Sequence, residues 1–170
     1  ATVLPSLYYV APNGTPGGNG TSTNPWDLDS AFRNVVTPAI KAGDTILLKD
    51  GTYLWSDATY ALRVQTVGTQ VSPVVFRAEK GPFPLSRVII KQTNAINSQA
   101  AVVRFMASSR WTVLRDVEIY VAETTRTGTV VNPPSLTSYR SACVRDGGIG
   151  NKRINCYIHA GMIVGIQQEC

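Results

Sequence analysis

This sequence has little of what most enzymes and binding domains rely on. It contains one histidine, three cysteines and only 16% charged residues in 170 positions. His159 is that histidine, and Cys143, Cys156 and Cys170 fit neither a zinc nor a C-x-x-C spacing, which argues against a structural metal knot. No apolar run reaches the roughly 18 residues that a membrane-spanning helix needs. Long amphipathic stretches are nearly missing. No signal peptide is visible, and the opening ATVLPSLYYV reads like a mature end left after cleavage. The net charge is +5, but Arg63, Arg77, Lys80, Arg87, Lys91, Arg104, Arg110 and Arg115 are scattered, and no basic pair occurs before Lys152-Arg153. That dispersal speaks against a nucleic-acid partner.

What is present is β-sheet composition. Hydrophobic residues make up 44%, Val, Ile and Thr are abundant, and 14 Gly and 10 Pro punctuate the chain. LYYVA reads as a first strand, followed by a loop rich in Gly, Pro, Asn and Thr that carries two Asn-x-Thr sequons, at Asn13 and Asn19. Trp26, Leu28, Ala31, Phe32, Val35 and Val36 then recur at helical spacing. This predicts one helix over roughly 26–36, ended before Pro38, inside a capping segment 25–40. From there on the period is that of strands: DTILLKD, GTYLW, ALRVQT, PVVFRAE, RVIIKQ, AVVRFMA, RWTVL, DVEIYVA, SACVRD, KRINCYIH and MIVGIQ.

Strands this short fit a sandwich, a barrel or a solenoid, and internal repetition favours the solenoid. GDTILLKDGTY, SPVVFRAE, SRWTVLRDVEIYV and NKRINCYIHAG align as the starts of successive groups of three strands, beginning near Thr45, Val74, Thr112 and Arg153. The expected fold is therefore all-β, a three-sided solenoid of about four coils. A single domain covers 1–170: strand and loop over 1–24, the capping helix, then coils over 42–170 with an insertion at about 122–140. Ile46, Leu48, Leu62, Val64, Val75, Leu114, Val117, Ile119, Ile154 and Ile158 are the predicted inward positions. Stacked coils bury such an interior where a lone coil does not.

YYVAPNGTPGGNGTSTNPWDLDSAF, then AGDTILLKDGTY, then SPVVFRAEKG, resemble the openings of right-handed parallel β-helix proteins of the polysaccharide-lyase type, the pectate-lyase-like and chondroitinase B-like superfamily. The resemblance covers residues 8 to about 120, and 150 to 166 more loosely, as the N-terminal portion of such a protein. It implies a right-handed parallel β-helix and a chemistry of proton abstraction beside a uronic carboxylate. That chemistry takes a Lys or Arg base and charge neutralisation, often by Ca²⁺. The catalytic candidates are Arg115, Arg153 and His159, and the carboxylates for a cation are Asp116, Glu118 and Asp146. Each is equally a solvated face or corner residue. Outside that lyase chemistry no cofactor is expected. Trp111, Tyr120 and Tyr157 are candidates for stacking on sugar rings, or for packing against the 122–140 insertion. Cys143, Cys156 and Cys170 are disulfide candidates, or else buried inert thiols.

GMIVGIQQEC ends on an apolar strand, which leaves an edge that a second copy would cover head to tail. The leading functional expectation is thus an extracellular, secreted solenoid with a structural or assembly role. It would be a filament subunit partnered by itself and by polysaccharide or attached glycans. The alternative is a polysaccharide lyase, or part of one, that cleaves an acidic polymer by β-elimination, and the basic charge suits that alternative.

Overall fold

A computed structural model describes residues 4–57, 60–93, 101–121, 142–160 and 164–168. The first strand, β1 (Leu7–Val10), is followed by one short helix, α1 (Leu28–Arg33). Among the described residues twelve strands come next, in four successive triplets. They are β2 (Thr45–Leu48), β3 (Gly51–Trp55) and β4 (Leu62–Val64); β5 (Val74–Ala78), β6 (Val88–Gln92) and β7 (Ala101–Phe105); β8 (Thr112–Arg115), β9 (Glu118–Val121) and β10 (Ala142–Asp146); β11 (Lys152–Ile154), β12 (Tyr157–Ala160) and β13 (Val164–Gln168). Every third strand pairs in parallel. The first face is ordered β1-β2-β5-β8-β11, the second β3-β6-β9-β12, and the third β4-β7-β10-β13. The molecule is a parallel β-solenoid with almost no helix among the described residues.

The interior follows from side-chain alternation and from register. On the first face Ile46, Phe76 and Leu114 share one inward column. On the second, Tyr53, Ile90, Ile119 and Ile158 do so. On the third, Leu62, Val103 and Val144 form one inward column and Val64 and Phe105 another. All of these are buried except Ile158, which is half-buried against the core. Two predicted inward residues prove outward. Val75 is flanked by the buried Val74 and Phe76, and the register places Phe76, not Val75, above Ile46. Ile154 is 40% exposed because Arg153, its neighbour on β11, takes the position in line with Leu114. KRINCYIH is likewise not one strand. It turns a corner at Asn155, whose φ is 50°.

The helix is shorter than its periodicity predicts. Asp27 caps it by accepting from the Ser30 amide at 2.9 Å. Asn34 ends it in the left-handed region, with its side chain clamped to the amide and carbonyl of Ile40. Trp26 lies outside the helix. It bridges Val10, and its indole donates to the Gly18 carbonyl at 2.9 Å. Phe32 meets Phe76 edge-on, ring centroids 4.9 Å apart, and the Phe32 carbonyl accepts from the Gln65 amide. The helix thereby covers the first coil, as a cap should.

Candidate functional site

Strands β4, β7 and β10 read LRV, AVVRF and ACVRD, each with an arginine between inward side chains. Their register makes Arg63 the partner of Arg104, and Arg104 the partner of Arg145. Three arginines therefore stand in one column on the outer face of the third sheet, a strand spacing of about 4.8 Å apart. Gln167 continues the column by register on β13. The arginines are half-buried, and each Nε is closed off from solvent. Arg63 lies over the Tyr60 ring, 5.5 Å from its centroid. Arg104 and Arg145 also interact with other groups of the fold.

One side of this column is apolar. Ala61, Val102 and Cys143, the neighbouring outer positions, are all buried. Burial pushes the Cys143 thiol up to about 11. Guanidinium groups pair well with planar anions, above all carboxylates.

The second sheet presents a different outer face. Glu118 pairs with Tyr157, and Lys91 with Tyr120, which by register pairs with His159. The Lys91 ammonium lies 5.7 Å from the centre of the Tyr120 ring. Tyr157 is 67% exposed. Both tyrosines proposed for sugar contact are thus on one outer face. The third, Trp111, is not: it sits at a corner with φ 47°, its ring against Gly150.

The proposed catalytic residues do not converge. Arg115 lies on the outer face of the first sheet and pairs with Asp116 at 2.8 Å. Arg153 points into the lumen, paired with Asp146 and lying over the Phe105 ring. His159 belongs to the second sheet. The expected carboxylates are just as dispersed. Asp116 is a buried corner residue that accepts from Arg115 and Asn155, Glu118 is on the second sheet, and Asp146 is inside. Among the described residues no group of three or more His, Cys, Asp or Glu fits a metal ion. These carboxylates do not fit Ca²⁺, which takes six to eight converging oxygens.

Asn13 and Asn19 are both exposed, and the Asn19 side chain accepts from Thr21. Of the three disulfide candidates, Cys143 and Cys156 are not bonded to each other. Cys170 lies outside the described residues, as do the 122–140 insertion and the first three and last two positions of GMIVGIQQEC. Among the described residues no helix is long and apolar enough to cross a membrane.

The column of Arg63, Arg104 and Arg145 is the feature that linear reading missed. About forty residues separate its members, a distance that only the coil repeat of a solenoid closes. A signal was there: β4, β7 and β10 each carry Arg behind an apolar residue. Reading it requires the coil repeat to be aligned across an insertion.

The chain is a pectate-lyase-like parallel β-helix. Over 77 residues, 45% of this chain, it is 40% identical to pectate lyase L of Thermoclostridium stercorarium, of which that stretch is 6%. A solved rhamnogalacturonan lyase superposes on 89% of the chain with a TM-score of 0.61 at 19% identity, a likeness of fold, and the chain spans 36% of it. No family model matches.

Proposed function

We propose that this chain forms part of a polysaccharide lyase or lyase-like protein and holds an acidic, uronate-bearing polymer along the outer face of the third sheet. The observation that carries the reading is the stacked column Arg63, Arg104 and Arg145. Such a column complements carboxylates spaced along a linear polymer, and the net charge of +5 favours their approach.

In β-elimination a base removes the proton on the carbon beside the carboxylate. The electron pair becomes a carbon–carbon double bond, and the glycosidic oxygen leaves. Pairing the carboxylate with a guanidinium stabilises the charge that builds up on it in the transition state. That is the part assigned to the column. Arginine stays protonated near neutral pH, so its contribution is charge neutralisation.

The similarity to lyases supports this reading over a head-to-tail filament, which no observation in the described coils favours. On this reading the protein works outside the cell, where the exposed Asn13 and Asn19 would be open to glycosylation.

The test is to titrate the 170-residue chain with polygalacturonate, alginate, chondroitin and a neutral galactan, and to follow the ultraviolet absorbance of the unsaturated product. Binding to the acidic polymers that weakens as salt rises is the expected result. Equal binding to the neutral galactan, or no binding to any acidic polymer, contradicts the reading.

A further inference from the structure

Strand β10 differs from its partners on the inner side. Where β4 puts Val64 and β7 puts Phe105 into the lumen, β10 puts Asp146, which is buried at 4% exposure. Its ion partner comes from another face. Arg153 occupies the inward column of Ile46, Phe76 and Leu114 and reaches the Asp146 carboxylate. The guanidinium lies 5.5 Å from the centre of the Phe105 ring. The other Asp146 oxygen accepts from the Gly148 amide at 3.0 Å and from Asn151 Nδ2 at 3.1 Å. Asn151 Oδ1 accepts from the Thr112 amide at 3.0 Å and from Ser109 Oγ at 3.2 Å, so the turn after β10 is tied to the coil below.

A one-residue slip of a strand exchanges its two faces. In β10 hydrophobicity does not prevent that exchange. Cys143 and Val144 are adjacent, both apolar and both fully buried, and Arg145 and Asp146 are adjacent and both charged. Partners for the carboxylate distinguish the register with Asp146 inward from the slipped one, and among the described residues the charged one is Arg153. Buried polar groups that fix register are a known use of otherwise costly interactions.

We propose that Asp146 and Arg153 are positioning residues for the anion-binding column: their pair fixes the register of β10 and so holds Arg145 outward beside Arg104. The inference rests on the reading of that column as a carboxylate site.

The experiment is a mutant cycle on the full chain, read as affinity for polygalacturonate by calorimetry at low salt. R145Q is expected to weaken binding about fivefold, the scale of one exposed charge pair. D146N should weaken it as much while leaving every outer arginine in place. D146N combined with R145Q should be no weaker than R145Q alone, whereas D146N combined with R63Q should multiply the two losses. Wild-type affinity in a folded D146N, or losses that multiply in D146N/R145Q, overturns the proposal. Should D146N not fold, R153K and R153M decide. Retained affinity in the first with loss in the second supports the pair, and equal affinity in both overturns it. If R63Q and R145Q both bind like wild type, the column reading fails and takes this inference with it. A D146N defect beside an intact column reading isolates the positioning role.

Discussion

Asn155 stands directly above Asp116 at one corner of the solenoid, and its side-chain amide donates to the Asp116 carboxylate at 2.8 Å. Both residues have positive φ, 62° for Asp116 and 50° for Asn155, a region that Asn and Asp tolerate better than most side chains. Removing the amide leaves a buried carboxylate one donor short and places alanine in a left-handed turn. N155A should therefore destabilise the protein by about 1–3 kcal/mol in urea unfolding. An unchanged midpoint would show that the corner does not depend on this pair.

Asp50 fastens the loop between β5 and β6. It accepts from Lys80 Nζ at 2.7 Å, from the Arg87 amide at 2.9 Å and from Ser86 Oγ. The Lys80 hydrogen bond first, then those of Ser86 and Arg87, lower its pKa from 3.8 to about 2. A carboxyl lowered by folding stabilises the protein above its ordinary pKa, and that contribution disappears as pH falls from 3.8 toward 2. Because the group is partly exposed, the contribution is below about 1 kcal/mol. Wild type should lose slightly more stability than D50N across this acid window. Parallel loss in the two proteins would remove the loop clasp from the account.

Phe76 joins the cap to the solenoid. It is fully buried in the column of Ile46 and Leu114 and meets Phe32 of α1 edge-on. F76A should cost about 3–5 kcal/mol, since neighbouring rungs cannot close over the cavity. A loss under about 1 kcal/mol in thermal or urea unfolding would mean that the inner columns pack loosely.

Trp111 is accounted for by packing. A Cβ on Gly150 would lie 2.4 Å from the Trp111 ring, and Gly150 has φ 69°. G150A should destabilise by about 1–3 kcal/mol. Adding W111L should recover the steric share and leave the backbone share. No recovery in the double variant would contradict the contact.

The Cys143 thiol is buried and raised by that burial to about 11, so little thiolate is present near neutral pH. Thiol reagents should modify it only on unfolding. Rapid native-state labelling of Cys143, located by mass spectrometry of the peptides, would contradict its burial.

The fold was legible because strand period and turn residues repeat: Ile46, Leu48, Leu62, Val64, Leu114, Val117 and Ile119 are all inward as their alternation says. Val75 was misassigned because three apolar residues in a row, Val74 to Phe76, carry no alternation to read. Arg153 and Ile154 exchanged expected faces because a charge inside a lumen needs a partner, Asp146, that lies on another strand. The helix was overestimated because side-chain period says nothing of the Asn34 clamp on Ile40. The site was the least legible part. Its members are related only through parallel register, and the residue types that usually mark catalysis are dispersed over two other sheets, a corner and the lumen.

The most direct test exchanges the arginine column for neutral residues against a matched control. The triple variant R63Q/R104Q/R145Q and the control R77Q/R115Q/K152Q each lose three positive charges from the same net +5, the first on the outer face of the third sheet and the second on that of the first. Polygalacturonate affinity should fall by two orders of magnitude or thereabouts in the column variant, about fivefold per arginine, and by far less in the control. Equal losses in the two variants would mean that overall charge, and not the stacked arginines, binds the polymer.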